Sequence, residues 1–162
     1  MAEFDEALQV VRDLMAEDGC PWDRAQTHET LKAPCIEEAA EVVCAVNILK
    51  ETGNAENLKE ELGDLLMQVL MNAVLAEKEG LFTIDDVCRA LKEKLIRRHP
   101  HIFGTEEQKE ARGRDADEAL RQWNEIKKLE KKGKTDANAY LPAAFDEAEE
   151  LINVARKRKG FI

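Results

Sequence analysis

Apolar residues recur at three-to-four spacing along most of the chain and almost nowhere alternate. That is the pattern of amphipathic helices, not of strands. Phe4, Leu8, Val11 and Leu14/Met15 form one stripe and predict a first helix over 3–16. Asp18-Gly19-Cys20-Pro21 ends it, because Gly and Pro continue a helical hydrogen-bond ladder poorly. A loop then runs through Trp22 and Asp23 to about Thr27. A second helical stretch is predicted over 28–51, with Pro34 breaking it or opening a new helix. Leu58, Leu62, Leu65, Leu66, Val69, Leu70 and Ala73 give a third helix over 55–79 a broad apolar face, with Gly80 as its cap. Thr83 reads as the N-cap of a fourth helix, with Asp85 and Asp86 matched to the helix dipole and His99-Pro100 stopping it after Arg98. The charged, aperiodic stretch 104–115 reads as a mobile loop. A fifth helix is predicted over 117–131, a lysine- and glycine-rich connection over 131–138, and a last helix over 142–159. The expected fold is all-α: an antiparallel helical bundle of four core helices plus C-terminal helices.

Composition sharpens this picture. The formal charge is 24 − 34 = −10, with 36% charged residues, which disfavours general binding to nucleic acid or an anionic membrane. An anionic substrate would need local positive charge, and a divalent cation is the usual source. Cys20, Cys35, Cys44 and Cys88 form no CxxC pair and no zinc-finger spacing; those in helical patterns read as small buried thiols. The acidic N-terminus carries no long apolar run, so neither a signal peptide nor a membrane span is expected, and a cytoplasmic location is.

The candidate chemistry lies on the second and third helices. Glu37-Glu38-Ala39-Ala40-Glu41 reads EExxE, and Glu61-Leu62-Gly63-Asp64 reads ExxD. Residues three apart share a helix face, so Glu38/Glu41 and Glu61/Asp64 form two carboxylate pairs. The short hairpin around Gly53 makes the two helices antiparallel and lets the pairs face each other. Four converging carboxylates repel unless a hard cation uses their oxygens as ligands. Glu at this spacing is common on solvated helix faces, but these pairs sit among Ile36, Val42, Val43, Leu62, Leu65 and Leu66. Gly63 costs about 1 kcal/mol in mid-helix relative to Ala, and close approach of a backbone or ligand would account for it.

These motifs, taken in order, resemble the MazG family. EExxE followed by ELGDLL is similar to its core. Gly19-Cys20-Pro21-Trp22-Asp23, continuing through Gln26-Thr27-His28 to Leu31, resembles its GCPWDxxQTHxxL loop. Lys94 to Gly104 resembles its KLxRRHPHVFG segment, and Trp123 with Lys127 its WxxxK. The resemblance covers nearly all of 1–131, read as a MazG-like catalytic domain, with 132–162 as linker and C-terminal helix. The tail resembles the helix after the first domain of two-domain MazG proteins, so a one-domain or truncated form is expected.

The resemblance implies an antiparallel MazG-type bundle that cleaves nucleoside triphosphates to monophosphate and pyrophosphate, in removal or control of the nucleotide pool. It implies that Glu38, Glu41, Glu61 and Asp64 ligate magnesium, with manganese as a substitute, and that they carry catalysis. Glu37 stands in or beside the ligand set, or pairs with a nearby base. Lys94 and Arg98 would otherwise complement a helix dipole; in this family context they become phosphate contacts. Trp123 and Lys127 become substrate contacts, with the loop before them as a lid. Trp22 is either a core anchor or a base contact. His28 is expected to bond within its loop. A homodimer is expected, with the first and third helices offering interface surface. Two rivals remain. A di-iron carboxylate bundle requires Glu-x-x-His, which is absent here; a helical adaptor would leave the carboxylates dispensable.

Overall fold

In the computed structural model, residues 2–110, 115–130 and 137–162 are described. Parts of the expected loop (111–114) and of the expected connection (131–136) lie outside them. The described residues are helical, without strands. They divide into two units, Met1–Ile84 with Pro142–Ile162, and Asp85–Leu141.

In the first unit, α1 (Ala2–Leu14) packs on α4 (Glu56–Lys78), and α4 pairs with α3 (Lys32–Thr52). Residues 53–55 alone join α3 to α4, so the two run antiparallel. Gly53 makes that turn at φ 73°, a left-handed conformation cheap only for glycine. Pro34 falls within the first turn of α3, where a missing N–H costs nothing, so the helix opens at Lys32 and not at residue 28. The loop before it contains a short helix, α2 (Pro21–Arg24), again opened by a proline.

The core gathers at the C-terminal half of α4. Leu70, Met71, Val74 and Ala76 are buried there with Leu8 and Val11 of α1, while Met15 and Leu31 are the largest fully enclosed side chains. An Arg12–Glu77 fork ties α1 to α4, with an N–O distance of 3.0 Å. His28 does not bond within its own loop. Its Nδ1 lies 2.8 Å from Asn72 Oδ1, which fastens the loop to α4. Cys44 and Cys88 are exposed and all four cysteines are free; these two lie on helix faces that the core does not cover. The last helix, α9 (Leu141–Arg158), belongs to this unit and meets α3 through Lys32–Glu147 at 2.9 Å.

The second unit holds most of α5 (Ile84–Arg98), then α6 (Pro100–Phe103), α7 (Glu106–Glu110) and α8 (Ala116–Glu130). The stretch after Gly104, expected to be an aperiodic loop, begins instead with α7. The cause is a capping box: Gln108 N–H donates to Thr105 Oγ1 at 3.3 Å, and Thr105 N–H to Gln108 Oε1 at 2.9 Å. Gly104 is required before it, since a Cβ there would collide with the Pro100 carbonyl and the Gln108 side chain. No helix among the described residues is long and apolar enough to cross a membrane.

Candidate functional site

The hairpin of α3 and α4 brings acidic groups from both helices to one place. One carboxylate oxygen from each of Glu38, Glu61 and Asp64 lies within 4.8 Å of the others. All three are partly buried. Burial, then Glu41, Asp64 and Glu61, push the Glu38 carboxyl above its usual 4.5. Glu61 is raised by burial first and then by Glu41, with which it is also in hydrogen-bond contact. Negative charge here is therefore held against both desolvation and mutual repulsion.

Glu41 lies beside this trio, not within it. Its carboxylate accepts a hydrogen bond from the Lys159 ammonium at the end of α9. Glu37, one turn earlier, is forked by Arg158 through both oxygens and reached by Lys159 at 3.2 Å. Those bonds, Arg158 foremost, hold the Glu37 carboxyl below 4.5. The alternatives left open for Glu37 thus meet a base in this structure. Arg158 and Lys159 are not among the candidate residues that the sequence pattern singled out. The available signal was four consecutive cations in a strongly acidic chain.

The second unit assembles a different group. The Arg98 guanidinium lies 4.8 Å from the Trp123 ring centroid, and the Lys127 ammonium 5.1 Å from it. Arg98 and Arg97 both reach Glu130, at 2.6 Å each. One shared carboxylate thus draws these neighbouring guanidinium groups together. These bonds, Arg98 first, depress the Glu130 carboxyl. Lys94 is exposed. Trp22, in the first unit, is 66% exposed and so does not anchor the core. Beyond the backbone of its own helical turn, Gly63 has no described atom within 4 Å of where a Cβ would stand, so no neighbouring backbone among the described residues explains it.

Residues 26–103 match the MazG nucleotide pyrophosphohydrolase domain. The chain is 44% identical to the nucleoside triphosphate pyrophosphohydrolase/pyrophosphatase MazG of Thermotoga maritima, over 86% of this chain and 52% of that protein. It is 38% identical to the nucleoside triphosphate pyrophosphohydrolase of Escherichia coli, over 86% of this chain and 50% of that one. It is 43% identical to the uncharacterized protein YabN of Bacillus subtilis, over 97% of this chain and 30% of that one. The chain therefore spans about half or less of these relatives' length.

The raised carboxyls have a consequence for stability. Folded Glu38 and Glu61 keep their protons to higher pH than unfolded glutamates at 4.5. The folded chain binds more protons in that window, so stability falls as pH rises through it. Glu37 and Glu130 act on the other side: their stabilisation is present above 4.5 and lost below it. With a chelator present, Glu38→Gln should melt at a higher temperature than the wild-type chain at pH 8. The difference should shrink as pH falls and wild-type Glu38 takes up its proton. A calorimetric melting series across this range checks it, and coincident curves would contradict the repulsion.

Proposed function

The chain belongs to the MazG nucleotide pyrophosphohydrolase family, and from that premise we propose that it hydrolyses nucleoside triphosphates to a monophosphate and pyrophosphate with a divalent cation. The observation that carries this reading is the convergence of Glu38, Glu61 and Asp64. The donor set fits a hard ion: carboxylate oxygens from facing helices, partly buried, with no sulfur or imidazole among them. Magnesium is the proposed ion, with manganese as a substitute. When bound, it would lower the pKa of a water and offset charge on the phosphate oxygens.

The chain's own residues set the conditions. Glu38 and Glu61, raised by burial and by each other's neighbours, gain from any cation that relieves them. Glu41 is proposed as the fourth ligand, exchanging Lys159 for the ion. Arg98, Lys127 and exposed Lys94 are proposed as phosphate contacts, and Trp123 as a further contact of the nucleotide. The chain's proposed role is control of the nucleoside triphosphate pool in the cytoplasm.

We also propose that two copies pair. Val43 and Val46 on α3 and Leu62, Leu66 and Val69 on α4 are left 39–63% exposed in one chain, and a second copy would cover them.

Four outcomes test these statements. A panel of canonical and modified triphosphates, assayed with magnesium and with chelator, should show metal-dependent release of pyrophosphate. Glu38→Gln and Asp64→Asn should lower turnover at least a hundredfold with helicity unchanged by circular dichroism; near wild-type rates in both would sink the assignment. In a Trp22→Phe background, nucleotide should alter Trp123 emission, and a flat titration at saturating nucleotide would remove Trp123 from the binding residues. Sedimentation should give twice the mass of 18.3 kDa for the wild-type chain and a monomer for Leu66→Glu; a monomeric wild-type chain would exclude the pairing.

A further inference from the structure

A cleft of about 440 Å³ lies beside the acidic trio, wholly within the first unit. Ile36 and Ile48 of α3 form one wall, and Leu151, Ile152 and Ala155 of α9 form the other. Its polar members include Asn57 and Glu61 of α4 and Glu41 of α3. The volume falls within the roughly 300–1,000 Å³ typical of small-molecule sites, and so does the chemistry of an apolar interior with a few directed polar groups.

Two features separate this cleft from a packing gap. First, it is continuous with the candidate cation site: Glu61 belongs to both. An occupant can lie in the cleft while its anionic end meets a cation at the carboxylates. Second, the far wall is pinned to α3 at two places. Lys32 bonds Glu147 at 2.9 Å, and Arg158 holds Glu37. The apolar residues of α9 are thereby presented to the cleft between two ionic attachments.

The occupant that meets these conditions has a flat, largely apolar body, a polar edge that an amide can read, and a phosphate at one end. The Asn57 side chain both donates and accepts, which matches the edge of a nucleobase. We infer that the cleft between α3 and α9 takes the nucleobase, and that α9 selects which base fits. This rests on the function proposed above. It goes further in assigning selectivity to an element outside the matched residues 26–103. Chains with the same acidic core would then differ in base preference through the helix that closes the cleft.

The test uses the full chain, with the four deoxynucleoside monophosphates, inorganic tripolyphosphate and Mn²⁺ as calorimetric probes. Ala155→Phe fills the cleft and Ile152→Ala enlarges it. Ala155→Phe should weaken monophosphate binding at least tenfold while Mn²⁺ and tripolyphosphate affinities stay within twofold of wild type. Ile152→Ala should reorder purine against pyrimidine monophosphates, and it keeps the test available if the bulkier variant does not fold. Unchanged binding of all four monophosphates by Ile152→Ala, with Mn²⁺ bound normally, overturns the cleft assignment and leaves the function standing. A wild-type chain that binds no Mn²⁺ overturns the function and the cleft assignment with it.

Discussion

Repulsion among carboxylates is the constraint around which the first unit is organised. The α3–α4 hairpin is held by apolar packing centred on the far half of α4, where Leu70, Met71, Val74 and Ala76 are buried. That packing fixes the antiparallel alignment, and the alignment forces Glu38, Glu61 and Asp64 within 4.8 Å of one another. The core thus supplies the free energy that holds like charges together. Charge held in this way is available to a cation without further reorganisation, the condition that makes a site preorganised.

The basic end of α9 answers the same repulsion from inside the chain. Arg158 and Lys159 sit on Glu37 and Glu41, so the two outer carboxylates are neutralised and the inner three are not. The gradient runs along a single helix: Glu37 is depressed by its arginine and Glu38, the next residue, is raised by burial and by its acidic neighbours. Adjacent residues of one type are given opposite electrostatic characters by which face of α3 they occupy. The same helix end also fixes the wall of the neighbouring cleft, so charge balance and cleft shape share one set of contacts.

The second unit solves a different problem with similar means. Glu130 gathers Arg97 and Arg98, and Trp123 carries Arg98 and Lys127 on its ring. Guanidinium and ammonium groups are thereby oriented by a carboxylate and an aromatic ring rather than left to sample many rotamers.

Much of the helical layout was determined by the sequence alone, because helix ends are local events. Gly53, Gly80 and the Pro residues stop or open helices wherever they stand, and apolar stripes at 3.6-residue period locate the faces. The two carboxylate pairs were legible for the same reason: spacing of three on a helix is a one-dimensional fact. What only the tertiary structure decided is which distant groups meet. Residues 37 and 158 carry no local sign of each other, yet α9 delivers one to the other; Arg97 and Arg98 meet a carboxylate, Glu130, that belongs to a different helix; Glu41 is claimed by Lys159. Such pairings depend on how helices far apart in the chain pack together. Packing is set by the summed shape and burial of many side chains, and no short stretch of sequence contains that sum.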